Sequence, residues 1–226
     1  MTNLLAALSL CRRTIIHLNH RGYIYVWANI LWFLLTLPII TAPASWAGLV
    51  YLSRQAHLKR TATLNDFWTG FRMNLWRGAL MALLNILVIG INLFNIGVYA
   101  GQMDVPSLVL RWVWWLTLVI WLVVQFYMWP MFYELKKPTL WGAFRNALVM
   151  VLLNPLFTLV LIAVVALLVV VSTYLFPAWV VLTGSVLATL STGAVLDRLI
   201  KAGVREPFDK PELESSEDDF GGMNIE

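Results

Sequence analysis

Apolar residues run without a charged interruption over four long stretches of this chain, from Ala79 onward. None of the four contains Asp, Glu, Lys, Arg or His, and they comprise residues 79–98, 112–128, 156–171 and 179–196. About 20 apolar residues cross a hydrocarbon layer of about 30 Å as an α-helix. The pattern therefore predicts four membrane-spanning helices. None of them carries charged side chains that could relay protons or ions.

Residues 23–53 form a fifth apolar region, which is too long for one upright helix and is interrupted by Pro38 and Pro43. Proline removes a hydrogen bond inside a helix but is accepted in the first helical turn. We therefore predict a short hairpin, with one helix ending near Pro38, a turn capped by Thr41, and a second helix starting at Pro43. The predicted fold class is an all-α polytopic transmembrane bundle of about six helices.

Basic residues flank this hairpin on both sides, and Lys and Arg are typical of cytoplasmic flanks. They are Arg12, Arg13 and Arg21 before it, and Arg54, Lys59 and Arg60 after it. Six crossings place both flanks and both chain termini in the cytoplasm, whereas five crossings would leave the first three arginines outside.

The pattern also divides the chain into three parts. Residues 1–22 are expected to form an interfacial helix, with Leu5 and Leu8 on one side and Arg12 towards the headgroups. Residues 23–203 form the transmembrane domain. Residues 204–226 hold clustered acids, two prolines and two adjacent glycines, so we expect a disordered cytoplasmic tail.

Composition excludes an ordinary soluble domain, because 60% of the residues are hydrophobic and only 12% are charged. The charge is segregated. Up to Arg205, fifteen Lys and Arg stand against four Asp and Glu, a net charge of +11, whereas the rest of the chain has one Lys against eight acids, a net charge of −7. A basic body beside apolar spans favours a membrane surface with anionic headgroups over nucleic acid as the partner.

No catalytic pattern is present in the sequence: there is no nucleophile elbow, phosphate-binding loop, paired intramembrane aspartates or His-Glu-x-x-His. His17 and His20 share a helical face with Cys11 six residues earlier, but no acid lies near them and the spacing is not that of a zinc site. We therefore expect no catalytic residues, no metal and no cofactor.

Three amides form a candidate polar intramembrane face. Asn85 and Asn92 are seven residues apart and lie on one helix face, and Asn95 is displaced towards the neighbouring face. Such amides either bond to other helices, with Gln125 and Asn154 as candidate partners, or line a path for a neutral solute.

Small residues recur every fourth position in the last span. They form a candidate helix-packing face of Gly184, Ser185, Ala188, Thr189, Thr192 and Gly193. Small residues at this spacing allow helices to approach closely. The neighbour is either another helix of this chain or a second protein.

A weak internal repeat accompanies these spans. Lys59-Arg60 leads to Phe71-Arg72 and Asn74, and Lys136-Lys137 leads to Phe144-Arg145-Asn146, each time just before a span. The two blocks indicate either two halves repeated in one orientation or a chance likeness between basic amphipathic segments.

One set of residues resembles a known family. It consists of Asn29, Trp32, Pro38, Thr41, Pro43, Ala44, Asp66, Phe67 and Phe71. In this set, and more loosely over residues 20–200, the chain resembles the YesL-like family of bacterial membrane proteins, a domain family of unknown function. The resemblance implies a multi-pass protein of the bacterial plasma membrane, with some relatives in settings that suggest carbohydrate uptake and no catalytic residues to carry over.

The expected function is a non-enzymatic accessory or regulatory component linked to solute transport, with a membrane transporter subunit as its candidate partner. The alternative is a permease or channel for a neutral solute that uses the face of Asn85 and Asn92. The third class is an intramembrane enzyme, for which the sequence offers no acid, no base and no metal site.

Overall fold

The computed structural model describes residues 3–58 and 62–206, and every regular element in that part of the chain is a helix. The helices are α1 (Asn3–Thr36), α2 (Ala42–Leu58), α3 (Leu64–Met73), α4 (Leu75–Val98), α5 (Val105–Glu134), α6 (Leu140–Leu153), α7 (Pro155–Tyr174) and α8 (Phe176–Lys201). Within α8, residues Trp179–Thr183 form a π-helical turn. The predicted tail, residues 204–226, lies almost entirely outside the described residues, which end at residue 206. The side chains of His17 and His20 also lie outside the described part of the chain.

Three helical hairpins make up the fold, namely α1–α2, α4–α5 and α7–α8, and the short helices α3 and α6 connect one hairpin to the next.

Asp104 caps the start of α5 in the second hairpin, where it accepts hydrogen bonds from the backbone N–H of Ser107 at 3.1 Å and from the Ser107 hydroxyl at 2.9 Å. These hydrogen bonds hold the pKa of the Asp104 carboxyl below its usual value.

Four of the described helices, α4, α5, α7 and α8, are long and apolar enough to cross a membrane. Shorter apolar helical segments occur at Gly22–Thr36 within α1 and in α6. Large apolar side chains lie exposed along the outer faces of these helices, including Leu83, Phe94 and Leu167. Soluble monomers rarely expose apolar surface on this scale, so the exposed faces indicate a membrane-embedded protein. Six crossings and cytoplasmic termini stay predictions.

Helix α2 lies at the centre and contacts α1, α3, α4, α5 and α8. Ten of its residues are buried: Ala44, Ser45, Ala47, Gly48, Leu49, Val50, Leu52, Ser53, Gln55 and Ala56. Because small residues predominate along its first half, neighbouring helices approach its backbone closely. Hence α2 is enclosed by protein, whereas α4, α5 and α7 keep broad exposed faces.

The predicted hairpin is present, with one change in its capping. Helix α1 ends at Thr36, before Pro38, and α2 starts at Ala42 with Pro43 in its first turn. The Thr41 hydroxyl, however, donates to the carbonyl of Leu35 at 2.5 Å, so it caps the end of α1 and not the start of α2. The last carbonyls of a helix lack partners within the helix, which a nearby hydroxyl can supply.

Three helix boundaries are not evident from the hydrophobic pattern. Helix α1 runs without a break from Asn3 to Thr36, and its interior glycine, Gly22, costs the helix only about 1 kcal/mol. Helix α5 continues through Pro130 to Glu134. A break at Asn74 separates α3, which ends at Met73, from α4, which begins at Leu75.

The internal repeat has a structural counterpart in α2–α3–α4 and α5–α6–α7. Thr63 precedes α3 and Thr139 precedes α6, each at the N-cap position. Asn74 separates α3 from α4 and bonds to the Gly70 carbonyl four residues back; Asn154 separates α6 from α7 and bonds to the Met150 carbonyl in the same way. The residue that corresponds to Asn74 is therefore Asn154 and not Asn146, because α6 is four residues longer than α3.

Candidate functional site

The three amides of the candidate polar face have different surroundings. The Oδ1 atom of Asn85 accepts hydrogen bonds from Trp121 Nε1 and Gln125 Nε2 of α5, both at 3.1 Å. Asn95 is half-buried, and among the described residues its side chain bonds only to the Ile91 carbonyl of its own helix. Asn85 thus joins two helices, and its partner Gln125 is one of the two named from the sequence.

Asn92 is the one member of this face that is both buried and incompletely bonded. Its side chain is 3% exposed, and its Nδ2 atom donates to the Val88 carbonyl one turn earlier. Its Oδ1 atom has no hydrogen-bond donor among the described residues. A buried amide oxygen without a donor is unfavourable, by about 1–3 kcal/mol.

The six residues of the small-residue face in α8 are all buried, and α8 packs against α1 and α2. A Cβ atom on Gly184 would lie 2.5 Å from Cε3 of Trp32, so the indole ring occupies the space that glycine leaves. The Ser185 hydroxyl donates to the Tyr25 carbonyl at 2.7 Å. This face is thus occupied by helices of the same chain.

Asn29 connects α1 to the π-helical turn of α8. Its Nδ2 atom donates to the carbonyls of Trp179 at 2.7 Å and Val180 at 2.8 Å, and its Oδ1 atom accepts from the backbone N–H of Ser185 at 2.8 Å. A π turn interrupts the regular ladder of backbone hydrogen bonds, and an inserted polar side chain can satisfy the freed groups. The completely buried Asn29 does so with all of its hydrogen-bonding atoms.

The other motif residues are involved in helix packing. Ala44 is completely buried, and a Cβ atom on Gly78 of α4 would lie 2.6 Å from the Ala44 Cβ. Asp66 accepts from the backbone N–H of Thr63 at 2.8 Å and so caps the start of α3. The rings of Phe67 and Phe71 stack with their centroids 6.4 Å apart. Helix α2 packs against both α3 and α4, so the three helices form one packed unit.

A hydrogen-bonded chain through Tyr133 fastens α5 to this unit. The Tyr133 hydroxyl accepts from Asn74 Nδ2 at 2.8 Å and donates to the Ala47 carbonyl at 2.9 Å. Because Asn74 also ends α3, a single tyrosine hydroxyl links α2, the α3–α4 break and α5.

Charged residues meet at the end of the bundle where α2, α5 and α8 finish. Glu134 is bound by two arginines: Arg54 Nε lies 2.6 Å from Oε1, and Arg205 Nη1 contacts Oε2. Nearby, the guanidinium of Arg198 lies 3.7 Å above the Phe157 ring and donates to Asn154 Oδ1 at 3.3 Å.

This charged cluster was not predicted from the sequence. One signal was available, because Glu134 is the only acid between Asp104 and Asp197 and it directly follows an apolar span. Its arginine partners lie far away in the sequence and could not be assigned without the fold.

Comparison with known proteins gives one match. The family described as a protein of unknown function, DUF624, matches residues 25–96, which run from the middle of α1 almost to the end of α4 and cover less than half of the chain. The match contains every residue of the motif set and is consistent with the resemblance to the YesL-like family. No curated protein and no solved structure matches the chain.

Proposed function

We propose that this protein is a non-enzymatic accessory or regulatory component of a solute transport system in the bacterial plasma membrane, with carbohydrates as the candidate solutes. The observation that carries the proposal is the pairing of Asn85 Oδ1 with Trp121 and Gln125. The most promising amide for a solute path is used to hold α4 against α5, which supports a structural role for that face.

The distribution of charge supports the same proposal. The long apolar stretches contain no Asp, Glu, Lys, Arg or His, and these side chains are typical of proton and ion pathways. The ion-paired residues instead lie at the ends of helices, as Glu134 and Arg54 do. A basic face at helix ends is suited to contact with anionic headgroups and with a transporter subunit.

Two measurements with the same protein test this role. Purified protein in proteoliposomes should transport no labelled neutral sugar, while a strain that lacks the gene should take up at least one sugar more slowly through its own importer. Restoration of uptake by the wild-type gene at native expression would support the proposal. Flux in proteoliposomes without a partner would contradict it, as would normal uptake of every sugar in the deletion strain.

A permease for a neutral solute is the second candidate, and one observation favours it: the buried Asn92 Oδ1 has no donor. In this alternative a solute hydroxyl would supply the missing hydrogen bond. An Asn92→Leu variant should then lose flux while its abundance stays normal, and an Asn95→Leu variant should keep flux because Asn95 is not among the buried polar groups that lack a partner.

A further inference from the structure

The chain changes direction at the end of α8. Gly203, two residues after Lys201, has a φ of +67°, which glycine adopts without a steric penalty. The backbone N–H of Gly203 donates to the Ile200 carbonyl and that of Val204 to the Leu199 carbonyl, both at 3.0 Å. These two hydrogen bonds form the Schellman motif, which ends a helix and redirects the chain that follows. The direction in which the chain leaves α8 is therefore fixed by hydrogen bonds.

Arg205 then fastens the chain to the end of α5. Its Nη1 atom contacts Glu134 Oε2, and the other carboxylate oxygen of Glu134 lies 2.6 Å from Arg54 Nε. The Glu134 side chain is only 10% exposed, and salt screens such partly buried pairs less than exposed ones. The acidic segment that begins at Glu206 therefore starts beside the end of α5.

Two exposed lysines lie next to this attachment point. Lys136 and Lys137 follow Glu134 in the bend between α5 and α6, and three residues of backbone span at most about 11 Å. Neither lysine makes an ion pair with any of the described residues. The carboxylate of Glu134 is already bound by two arginines. The bend thus carries positive charge that the described part of the chain does not balance.

The acids of the chain divide into two groups. Those before residue 205 already cap a helix or bind a basic side chain; they are Asp66, Asp104, Glu134 and Asp197. The other eight acids lie in residues 206–226, where Lys210 is the only base and the net charge is −7. Within this chain, a counter-charge for the two lysines can therefore come only from that acidic segment.

We propose that residues 207–226 bind the bend of Lys136 and Lys137 and neutralise its charge. The segment starts where the bend lies, and each extended residue adds about 3.3 Å of reach, so a few residues are sufficient to bridge the distance. Attachment to the same chain raises the effective concentration of the segment to the millimolar range, so that individually weak charge pairs are enough. The bound segment keeps the two lysines from other anionic partners, including lipid headgroups.

Zero-length cross-linking of the purified full-length protein in neutral detergent tests this contact. A carbodiimide joins a lysine amine only to a carboxylate that it touches, and mass spectrometry of the digested protein identifies the pairs. The acids of residues 207–226 should join chiefly Lys136 and Lys137. Lys201 is the internal control, because it precedes Glu206 by only five residues. A segment that stays near α8 without binding the bend would join Lys201 at least as often.

A pair of variants tests the attachment. Arg205→Gln removes the contact with Glu134 and should lower the yield of the Lys136 and Lys137 cross-links by roughly two- to fivefold, as for the loss of one ion pair. Arg111→Gln is the matched control, because it removes the same charge at the other end of α5, about 35 Å from Glu134 along the helix, and should leave the yield unchanged.

Several outcomes would overturn the proposal. Cross-links confined to Lys201, or shared equally between Lys201 and the bend, would show that the segment does not bind there. Loss of the Lys136 and Lys137 cross-links in vesicles that contain phosphatidylglycerol would make headgroups the occupant instead. Equal yields from Arg205→Gln and Arg111→Gln would overturn the role of Arg205.

Cross-links that persist in these vesicles and disappear at high salt, which screens exposed charges, would support the acidic segment as the occupant. The comparison of the bend with Lys201 uses the wild-type protein, so it decides the contact even if Arg205→Gln does not fold. None of these outcomes depends on whether the protein acts in transport.

Discussion

The side-chain amide of Asn29 supplies the hydrogen bonds that the π-helical turn of α8 leaves open, and three distances between 2.7 and 2.8 Å describe this contact. Asn85 makes a comparable but smaller contribution between α4 and α5. In lipid no water can replace such bonds, so the position of one amide decides which helices can be neighbours.

Replacing Asn29 with leucine should therefore destabilise the protein strongly. The change removes all three hydrogen bonds of a completely buried amide, so we expect a loss of about 3 kcal/mol. Unfolding in detergent, followed by circular dichroism, measures the effect. Asn95→Leu is the control and should change stability by no more than about 0.5 kcal/mol, since the amide of Asn95 makes its hydrogen bond within α4 and joins no second helix. Equal effects of the two variants would contradict the role of Asn29.

A double-mutant cycle tests the contact between Asn85 and Gln125. The variants Asn85→Leu, Gln125→Leu and their combination should give a coupling free energy of about 0.6 kcal/mol, and at most about 1.7 kcal/mol, as for other hydrogen bonds within membranes. Cellular abundance should follow the measured stability in all three. Additive effects without coupling would show that the bond between α4 and α5 does not form.

At the scale of helices, close approach around α2 decides the packing. A Cβ atom on Gly48 would lie 2.8 Å from the Phe67 carbonyl oxygen, and one on Gly70 would lie 2.5 Å from the Tyr51 Cβ. Helix α3 thus crosses α2 at the point where Gly70 of α3 faces Gly48 of α2. The aromatic rings of α3 fill the space around this crossing.

Gly78 and Gly90 of α4 form a matched pair for testing this packing. Gly78→Ala places a methyl group 2.7 Å from the backbone nitrogen of Ala44, which must move, so we expect a loss of about 1–3 kcal/mol. Gly90→Ala meets nothing within 4 Å and should be neutral or stabilising by up to about 1 kcal/mol. Melting temperatures of the two variants in one detergent provide the comparison. Similar melting temperatures would mean that α2 and α4 are not in close contact.

Hydrophobic pattern and proline positions were sufficient to predict the hairpin of α1 and α2 and the long apolar helices, because both signals are local. The break at Asn74 was not predicted, since the sequence on either side of it is helical by propensity and the break is stabilised by Tyr133, 59 residues away. The π-helical turn also had no local signal, because its partner Asn29 lies 150 residues earlier. Gln125 could be named from the sequence as a partner for the amides of α4. The burial of Arg198 could not be predicted, because it depends on contacts with Asn154 and with Phe157 of α7.

On the scale of the whole molecule, α2 of the first hairpin is enclosed by α1 and by helices of the other two hairpins. The charged ends of α2, α5 and α8 meet in one cluster around Glu134, while the opposite ends of the hairpins carry little charge. This asymmetry is what the distribution of basic residues predicts for a protein with its basic face in the cytoplasm.

Cysteine labelling in intact cells tests the predicted orientation. In a Cys11→Ser background, an impermeant thiol reagent should label a cysteine at Met103, which is 81% exposed between α4 and α5. Cysteines at Asn3, Thr61 and Ser216 should stay unlabelled until the cells are opened. Labelling at Asn3 alone in intact cells would indicate five crossings and would contradict the hairpin as a membrane-crossing pair.

The π-helical turn has a consequence for how the chain is assembled during synthesis. The ribosome synthesises α1 long before it reaches Trp179. Asn29 has therefore already been synthesised when α8 enters the membrane. A π turn contains one extra residue, and forming it rotates the two parts of α8 by about 100° relative to each other. The final rotation of the last helix is therefore set by the first helix. The three hydrogen bonds of Asn29 to α8 can therefore form only after residue 185 has left the ribosome.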